Sequence, residues 1–276
     1  MFKKMMAQWL DKGKWNEHKP RRKMRIDAAW HLARLFGARP CQNPVFVVGC
    51  GHSGTSLLLR ILGEHSALHA IPYESRCGES RAPDTVYRKF DTLAWVNKCR
   101  RWIEKTPRNV LYLAPLIARF PEGRFIIIIR DGRDVISSLR KRGYTLDESI
   151  DRWVSDNRAA EPFWNHPQVF KFTYEELIAQ PGETLTRILE FLGESHEASI
   201  THYHERPREN FSADYVKPAT ESEADHTQYR KWQINQPIFD GRGKWRKELS
   251  ATDLELIEKR AGDMLRAYGY PFETLP

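Results

Sequence analysis

An apolar run, Val45-Phe46-Val47-Val48, stops abruptly at Gly49-Cys50-Gly51-His52-Ser53-Gly54, and a helix-type pattern follows from about Gly54 to Gly63. β-Branched and aromatic residues bounded by glycine read as a buried strand. Glycines let the backbone curl until several N–H groups converge. A helix that starts at the end of such a turn adds its unsatisfied N–H groups and the positive end of its dipole. Strand, turn and helix together therefore form a cradle for an anionic group.

The same alternation recurs along the chain. Arg124 to Ile129 is a β-rich run, Arg130-Asp131-Gly132 turns, and Arg133 to Arg142 has helical spacing. Val169 to Phe172 leads into Tyr174 to Ala179 and a helix over Glu183 to Leu192. Ser250-Ala251-Thr252-Asp253 reads as a capping box opening a helix to about Tyr268. Strands alternating with helices imply an α/β fold with a P-loop-like parallel sheet flanked by helices on both faces. A chain of 276 residues accommodates one large α/β domain, placed at residues 43–276. Residues 1–42 read as a basic N-terminal extension, densest in charge at Lys19-Pro20-Arg21-Arg22-Lys23. Within it, Arg25 to Phe36 can form a helix with Ile26, Ala29, Trp30, Ala33 and Phe36 on one side. That side either packs on the domain or makes a peripheral contact with an anionic membrane. The stretch from Thr201 to Gly243 lacks periodicity and reads as long loops of the kind that carry site residues.

Charge narrows the ligand class. Lys plus Arg total 44 against 36 Asp plus Glu, a net charge of +8, which favours anionic partners. Nucleic acid is not expected among them, because Trp9, Trp30, Trp95, Trp153 and Trp245 are scattered rather than interleaved with a basic stripe. No apolar run approaches the ~18 residues of a membrane-spanning helix. Cys41, Cys50, Cys77 and Cys99 show neither metal-ligand spacing nor a pairing pattern, and the apolar core of MFKKMMAQWLDKGKW is too short for a secretory leader. A cytoplasmic protein with reduced thiols is expected, with any membrane contact peripheral and at the inner face.

The turn has the G-x-x-x-x-G spacing of nucleotide-triphosphatase loops, but Thr55 stands where those carry the lysine that reaches the outer phosphates. A P-loop kinase is thereby disfavoured. GCGHSGTS followed by LLLRILGEH resembles instead the 5′-phosphosulfate loop of sulfotransferases. The resemblance implies 3′-phosphoadenosine 5′-phosphosulfate (PAPS) as co-substrate, held by Gly51, His52, Ser53, Gly54, Thr55 and Ser56, without a metal. His52 is a departure, since the family usually has Arg or Lys there. A second motif, RFIIIIRDGRDVISSLRKR, supplies Arg130 at a strand end and Ser138 eight positions on, with Arg142 one turn further. The resemblance assigns these to the 3′-phosphate, and a guanidinium suits that task. A third segment, Gly241-Arg242-Gly243-Lys244-Trp245-Arg246, is similar to the family's nucleotide-closing loop and offers Arg242, Gly243 and Lys244. Tyr174 matches a position near the nucleotide. The resemblance runs from about Pro44 to the C-terminus, with gaps between Thr201 and Gly241.

Sulfuryl transfer needs a base, charge stabilisation and alignment. Ile71-Pro72-Tyr73-Glu74-Ser75-Arg76 resembles the Glu-containing segment of Glu-base members, among them protein-tyrosine and carbohydrate sulfotransferases. Glu74 is thus the candidate base, with His69 as the nearest alternative, and Arg76 orients it or holds acceptor. Lys105, in Glu104-Lys105-Thr106-Pro107, is the candidate stabiliser of the leaving oxygen together with His52. The acceptor implied is a hydroxyl of a carbohydrate, glycolipid or small metabolite, with protein tyrosine as the alternative. A serine that tyrosine-specific members carry near the last loop falls here near Gly243, which weighs against tyrosine. Acceptor-binding loops are expected at about Cys77 to Arg101 and Tyr144 to Trp164.

Overall fold

The computed structural model describes residues 20–80, 83–205 and 233–272. Its centre is a five-stranded sheet in the order β2-β3-β1-β4-β5, built from β1 (Val45–Gly49), β2 (Leu68–Ala70), β3 (Arg101–Lys105), β4 (Arg124–Ile129) and β5 (Val169–Thr173). Every pairing is parallel, and β1 lies in the middle, with Val45 opposite both Ile103 and Arg124. The helices are α1 (Pro20–Leu35), α2 (Thr55–Leu62), α3 (Pro83–Val96), α4 (Leu113–Arg119), α5 (Gly132–Arg140), α6 (Leu146–Ala160), α7 (Tyr174–Ala179), α8 (Pro181–Leu192), α9 (Ala198–Thr201), α10 (Trp245–Glu248) and α11 (Ala251–Ala267).

Alternation along the strands divides the interior into two cores. Phe46, Val48, Phe125, Ile127 and Ile129 face one side, where they pack with buried residues of α1, α3, α5, α6 and α11. Val45, Val47, Ile126 and Ile128 face the other, against Leu58, Leu62, Leu185 and Ile188 of α2 and α8. Helices therefore cover both faces, which is why each central strand is a continuous apolar run. The ligand-binding end of such a sheet lies beyond the carboxyl ends of its strands, and β1 and β4 end there at Gly49 and Ile129.

The expected elements recur, with α11 capped by the box at Ser250, whose hydroxyl accepts from the Asp253 N–H. Others went unread. In β3, Arg101, Glu104 and Lys105 break the apolar pattern, yet all five residues are buried because specific partners satisfy the charges: Arg101 donates to the Leu192 carbonyl at 2.7 Å and pairs with Glu194 at 3.2 Å. The segments expected to be acceptor loops are largely helical, as α3 and α6. The α1 helix buries Ile26, Ala29, Trp30 and Ala33 and pairs Asp27 with Arg88 of α3 at 2.8 Å. Phe36 departs from that expected face and is 61% exposed, because the helix ends at Leu35 and the chain turns through Gly37 at φ +93°. Part of the Thr201 to Gly243 stretch, residues 206–232, lies outside the described residues, as do residues 1–19.

Candidate active site

The turn after β1 is shaped by two glycines that could be nothing else. Gly49 has φ +137°, and a Cβ there would stand 2.6 Å from the Ile128 carbonyl oxygen. Gly54 has φ +96°, and its Cβ would strike the Tyr174 ring at 2.7 Å. Between them His52 holds φ +70°, a left-handed conformation that costs a residue with a side chain. Helix α2 begins at Thr55, so its first-turn N–H groups have no intrahelical acceptor. The Ser53 hydroxyl is buried with no hydrogen-bond partner among the described residues. A curled backbone, a helix start and a spare buried hydroxyl fit an oxyanion.

Arg130, at the end of β4, ties three segments together. Its guanidinium donates to the His52 carbonyl at 3.0 Å and to the Gly241 carbonyl at 2.8 Å, and stacks 4.3 Å over the Tyr174 ring. Its Nε is buried without a hydrogen bond. Burial raises the Tyr174 phenol pKa, an effect the Arg130 charge only partly offsets. Ser138, two turns along α5, sits 2.7 Å from His52 Nδ1. Arg142 is exposed on the rim of the same cavity.

The candidate base stands across from this loop. Glu74 Oε1 accepts from Lys105 Nζ at 2.6 Å, with the Lys105 side chain buried and that of Glu74 40% exposed. A buried carboxylate at Glu104 fixes the backbone here. It accepts from the Ser75 N–H at 3.2 Å, the Ser75 hydroxyl at 2.8 Å, the Asn109 amide at 3.0 Å and the Thr106 hydroxyl. Burial raises the Glu104 pKa, and these donors work against that rise. The Thr106 hydroxyl in turn accepts from the Arg76 N–H at 3.1 Å. Arg76 has φ +52°. Among the described residues only His52, Arg76 and Lys98 combine a side chain with positive φ, and the first two line this cavity. Such outliers gather at functional sites.

The C-terminal loop is pinned by Asp134 of α5, which accepts from the N–H groups of Gly243 at 2.8 Å and Trp245 at 3.1 Å.

The cavity so enclosed measures about 240 Å³. Of the expected residues, Gly51, His52, Gly54, Thr55, Ser56, Glu74, Arg76, Arg130, Ser138, Arg142, Tyr174 and Lys244 line it. Ser53 lies buried under the loop, and Lys105 is seated behind Glu74. Arg242 does not line the cavity; Asp240 grips its guanidinium at 2.7 Å, and the Gly243 N–H is committed to Asp134. His69 belongs to β2 and is also absent from the lining. Arg108, Arg152, Lys141 and the apolar Ile234, Ile238 and Phe239 line it without having been singled out. The i and i+4 spacing of Arg152 and Asp156 is an ordinary helix pairing and by itself marks no function.

A model of the Sulfotransferase family matches residues 74–198. A putative protein-tyrosine sulfotransferase of Caenorhabditis briggsae is 30% identical over 226 residues, which span 65% of this chain and 78% of that protein. An uncharacterized protein of Aquifex aeolicus (strain VF5) is 24% identical over 241 residues, 70% of this chain; the chain spans 31% of that protein's length. The crystal structure of mouse sulfotransferase SULT7A1 complexed with PAP shares the fold, with a TM-score of 0.53 at 16% identity over 88% of this chain and 94% of that one. By its sequence, and with a fold that agrees, the chain belongs to the sulfotransferase family.

Proposed function

We propose that the protein transfers a sulfuryl group from PAPS to an acceptor hydroxyl. The observation that carries this reading is the convergence on one cavity of the loop after β1, the Arg130–Ser138 anchor after β4, and the Glu74–Lys105 pair. PAPS supplies an activated sulfuryl group on a phosphate leaving group. The loop from Gly51 to Ser56 receives the 5′-phosphosulfate, and Arg130 Nε and Ser138 receive the 3′-phosphate, with Arg142 and Lys244 at the rim. Arg242 reaches the nucleotide by exchanging Asp240 for the phosphate, and Gly243 lets the backbone approach. Glu74 takes the acceptor's proton as the new S–O bond forms. Lys105, 2.6 Å from Glu74, stabilises charge on the departing oxygen as the old S–O bond breaks. Arg76 holds the acceptor.

The acceptor is a hydroxyl of a carbohydrate, glycolipid or small metabolite. A tyrosine hydroxyl is the second reading, favoured by the name of the Caenorhabditis briggsae relative. Among the described residues no helix is long and apolar enough to cross a membrane. Met24 is exposed on α1 beside Arg21, Lys23 and Arg25, and Leu35 and Phe36 are exposed at the helix's other end, which supports a peripheral contact of a cytoplasmic enzyme with anionic lipid. Incubation with ³⁵S-labelled PAPS and separate glycan, lipid, metabolite and tyrosine-peptide pools tests the reading. Label should enter a glycan, lipid or metabolite with the wild type and not with Glu74→Gln. Label in the peptide alone would favour tyrosine, and label in no pool would count against transferase activity.

A further inference from the structure

At the position where the family resemblance leads one to expect arginine or lysine the loop has His52, and the ring of that histidine meets α5. His52 Nδ1 is engaged 2.7 Å from Ser138, on the side of Arg130 and α5. From Gly51 to Ser56 the loop carries no arginine or lysine of its own.

Helix α6 brings one there. Arg152 lines the cavity, and its Nη2 lies 3.2 Å from where a Gly51 Cβ would stand, so a side chain at position 51 would crowd the guanidinium. Asp156, one turn on, is fully buried and sits 3.8 Å from both Arg152 and Arg108. The thiol of Cys50, also buried, lies against the same carboxylate. Two consecutive loop residues, Cys50 and Gly51, thus meet two α6 residues spaced i and i+4. Arg152 is further fixed by donating from Nη1 to the Tyr144 hydroxyl at 3.0 Å, while its Nε is buried without a hydrogen bond. No hydrogen bond from its Nη2 is made to the described residues, and that nitrogen faces the loop. Arg108 follows Lys105-Thr106-Pro107, so the Arg152–Asp156–Arg108 unit bridges the loop to the segment that carries the Glu74 partner.

We propose that Arg152, carried by α6 and braced by Asp156, is the cation that binds the sulfonate oxygens of PAPS, in place of the loop's missing arginine or lysine. The assignment rests on the PAPS reading of the cavity. A planar guanidinium suits a group with several equivalent oxygens. It also explains why a histidine is tolerated in the loop: His52 serves the nucleotide side through Ser138.

The contrast between PAPS and 3′,5′-adenosine bisphosphate (PAP) isolates the sulfonate, because PAP lacks it. Calorimetry with each ligand, without acceptor, on wild type, Arg152→Gln and Arg152→Lys tests the assignment. Arg152→Gln should weaken PAPS at least tenfold while PAP stays within about twofold, the size expected for losing a charge-assisted hydrogen bond. Arg152→Lys should recover part of the loss, and its PAP affinity reports that the fold is intact. PAPS affinity unchanged in Arg152→Gln, or PAP and PAPS weakened in parallel in both variants, overturns the assignment alone. Wild-type protein that binds neither ligand overturns the PAPS reading and this assignment with it.

Discussion

Ser138 Oγ lies 2.7 Å from His52 Nδ1, so the helix after β4 and the loop after β1 are joined by one hydrogen bond at the mouth of the cavity. The two residues sit 86 positions apart and belong to motifs assigned to opposite ends of the nucleotide. Their contact makes them one unit. Alanine substitutions at the two positions should therefore be non-additive in PAP binding, with an interaction energy of at least ~0.5 kcal/mol. Calorimetry on wild type, both single variants and the double variant measures it, and strict additivity would show that the contact is not used.

Arg130 has one uncommitted nitrogen, the buried Nε. Arg130→Gln keeps an amide near the His52 carbonyl and removes the charge. Losing a charge-assisted bond costs ~1.5–3 kcal/mol, so PAP affinity should fall at least tenfold. Adenosine 5′-phosphosulfate, which has no 3′-phosphate, should lose no more than about threefold. Equal losses for both would place the 3′-phosphate elsewhere.

Glu74 differs in kind from the nucleotide-binding residues, because it is a carboxylate, an acceptor of protons, and it accepts from Lys105 at 2.6 Å. Glu74→Gln should cut sulfation by ~10²–10⁴-fold, the usual contribution of a general base, while PAP affinity changes by less than about twofold. Initial rates with labelled PAPS and calorimetry with PAP separate the two effects. Near-normal turnover would reduce Glu74 to an ion-pair partner.

Much of this site is written locally in the sequence. The loop, Arg130 and Ser138 stand at fixed spacings from apolar runs, and alternation places them at the strand ends. What the sequence did not disclose is carried by long-range burial. Strand β3 was hidden because Arg101 and Glu104 are charged, and only the partners Leu192, Glu194, Ser75, Thr106 and Asn109 make them tolerable inside. Arg152 lies in the Tyr144 to Trp164 segment expected as an acceptor loop, and only the packing of α6 on Cys50 and Gly51 brings it to the phosphosulfate loop. The fate of Arg242, gripped by Asp240 two residues away, was legible in principle from their spacing.

Asp91 gives a pH signature of the fold itself. It accepts from the Cys41 N–H at 3.0 Å and from the Trp102 indole at 2.9 Å, and burial raises its pKa from 3.8 to about 6 despite both bonds. A carboxyl raised in the folded state holds its proton better there than in the unfolded chain. Its contribution to stability is full below the unfolded value and is lost as pH rises through about 6. The rise of roughly two units sets an upper bound of about 3 kcal/mol. Asp91→Asn keeps an acceptor oxygen and never ionises, so its stability relative to wild type should improve between pH 4 and 7, measured by denaturant titration. A constant difference across that range would mean Asp91 is not perturbed.

The most direct measurement of the central claim is thermal melting of the full chain with PAP, with Mg-ATP and with an oligonucleotide, the PAP arm without magnesium. A ligand at 100 times its dissociation constant adds ~2.7 kcal/mol, which for a chain of this size raises Tm by several degrees. PAP should produce that rise in metal-free buffer, and the other two should not. A shift with Mg-ATP or the oligonucleotide and none with PAP would contradict the sulfotransferase reading of the cavity.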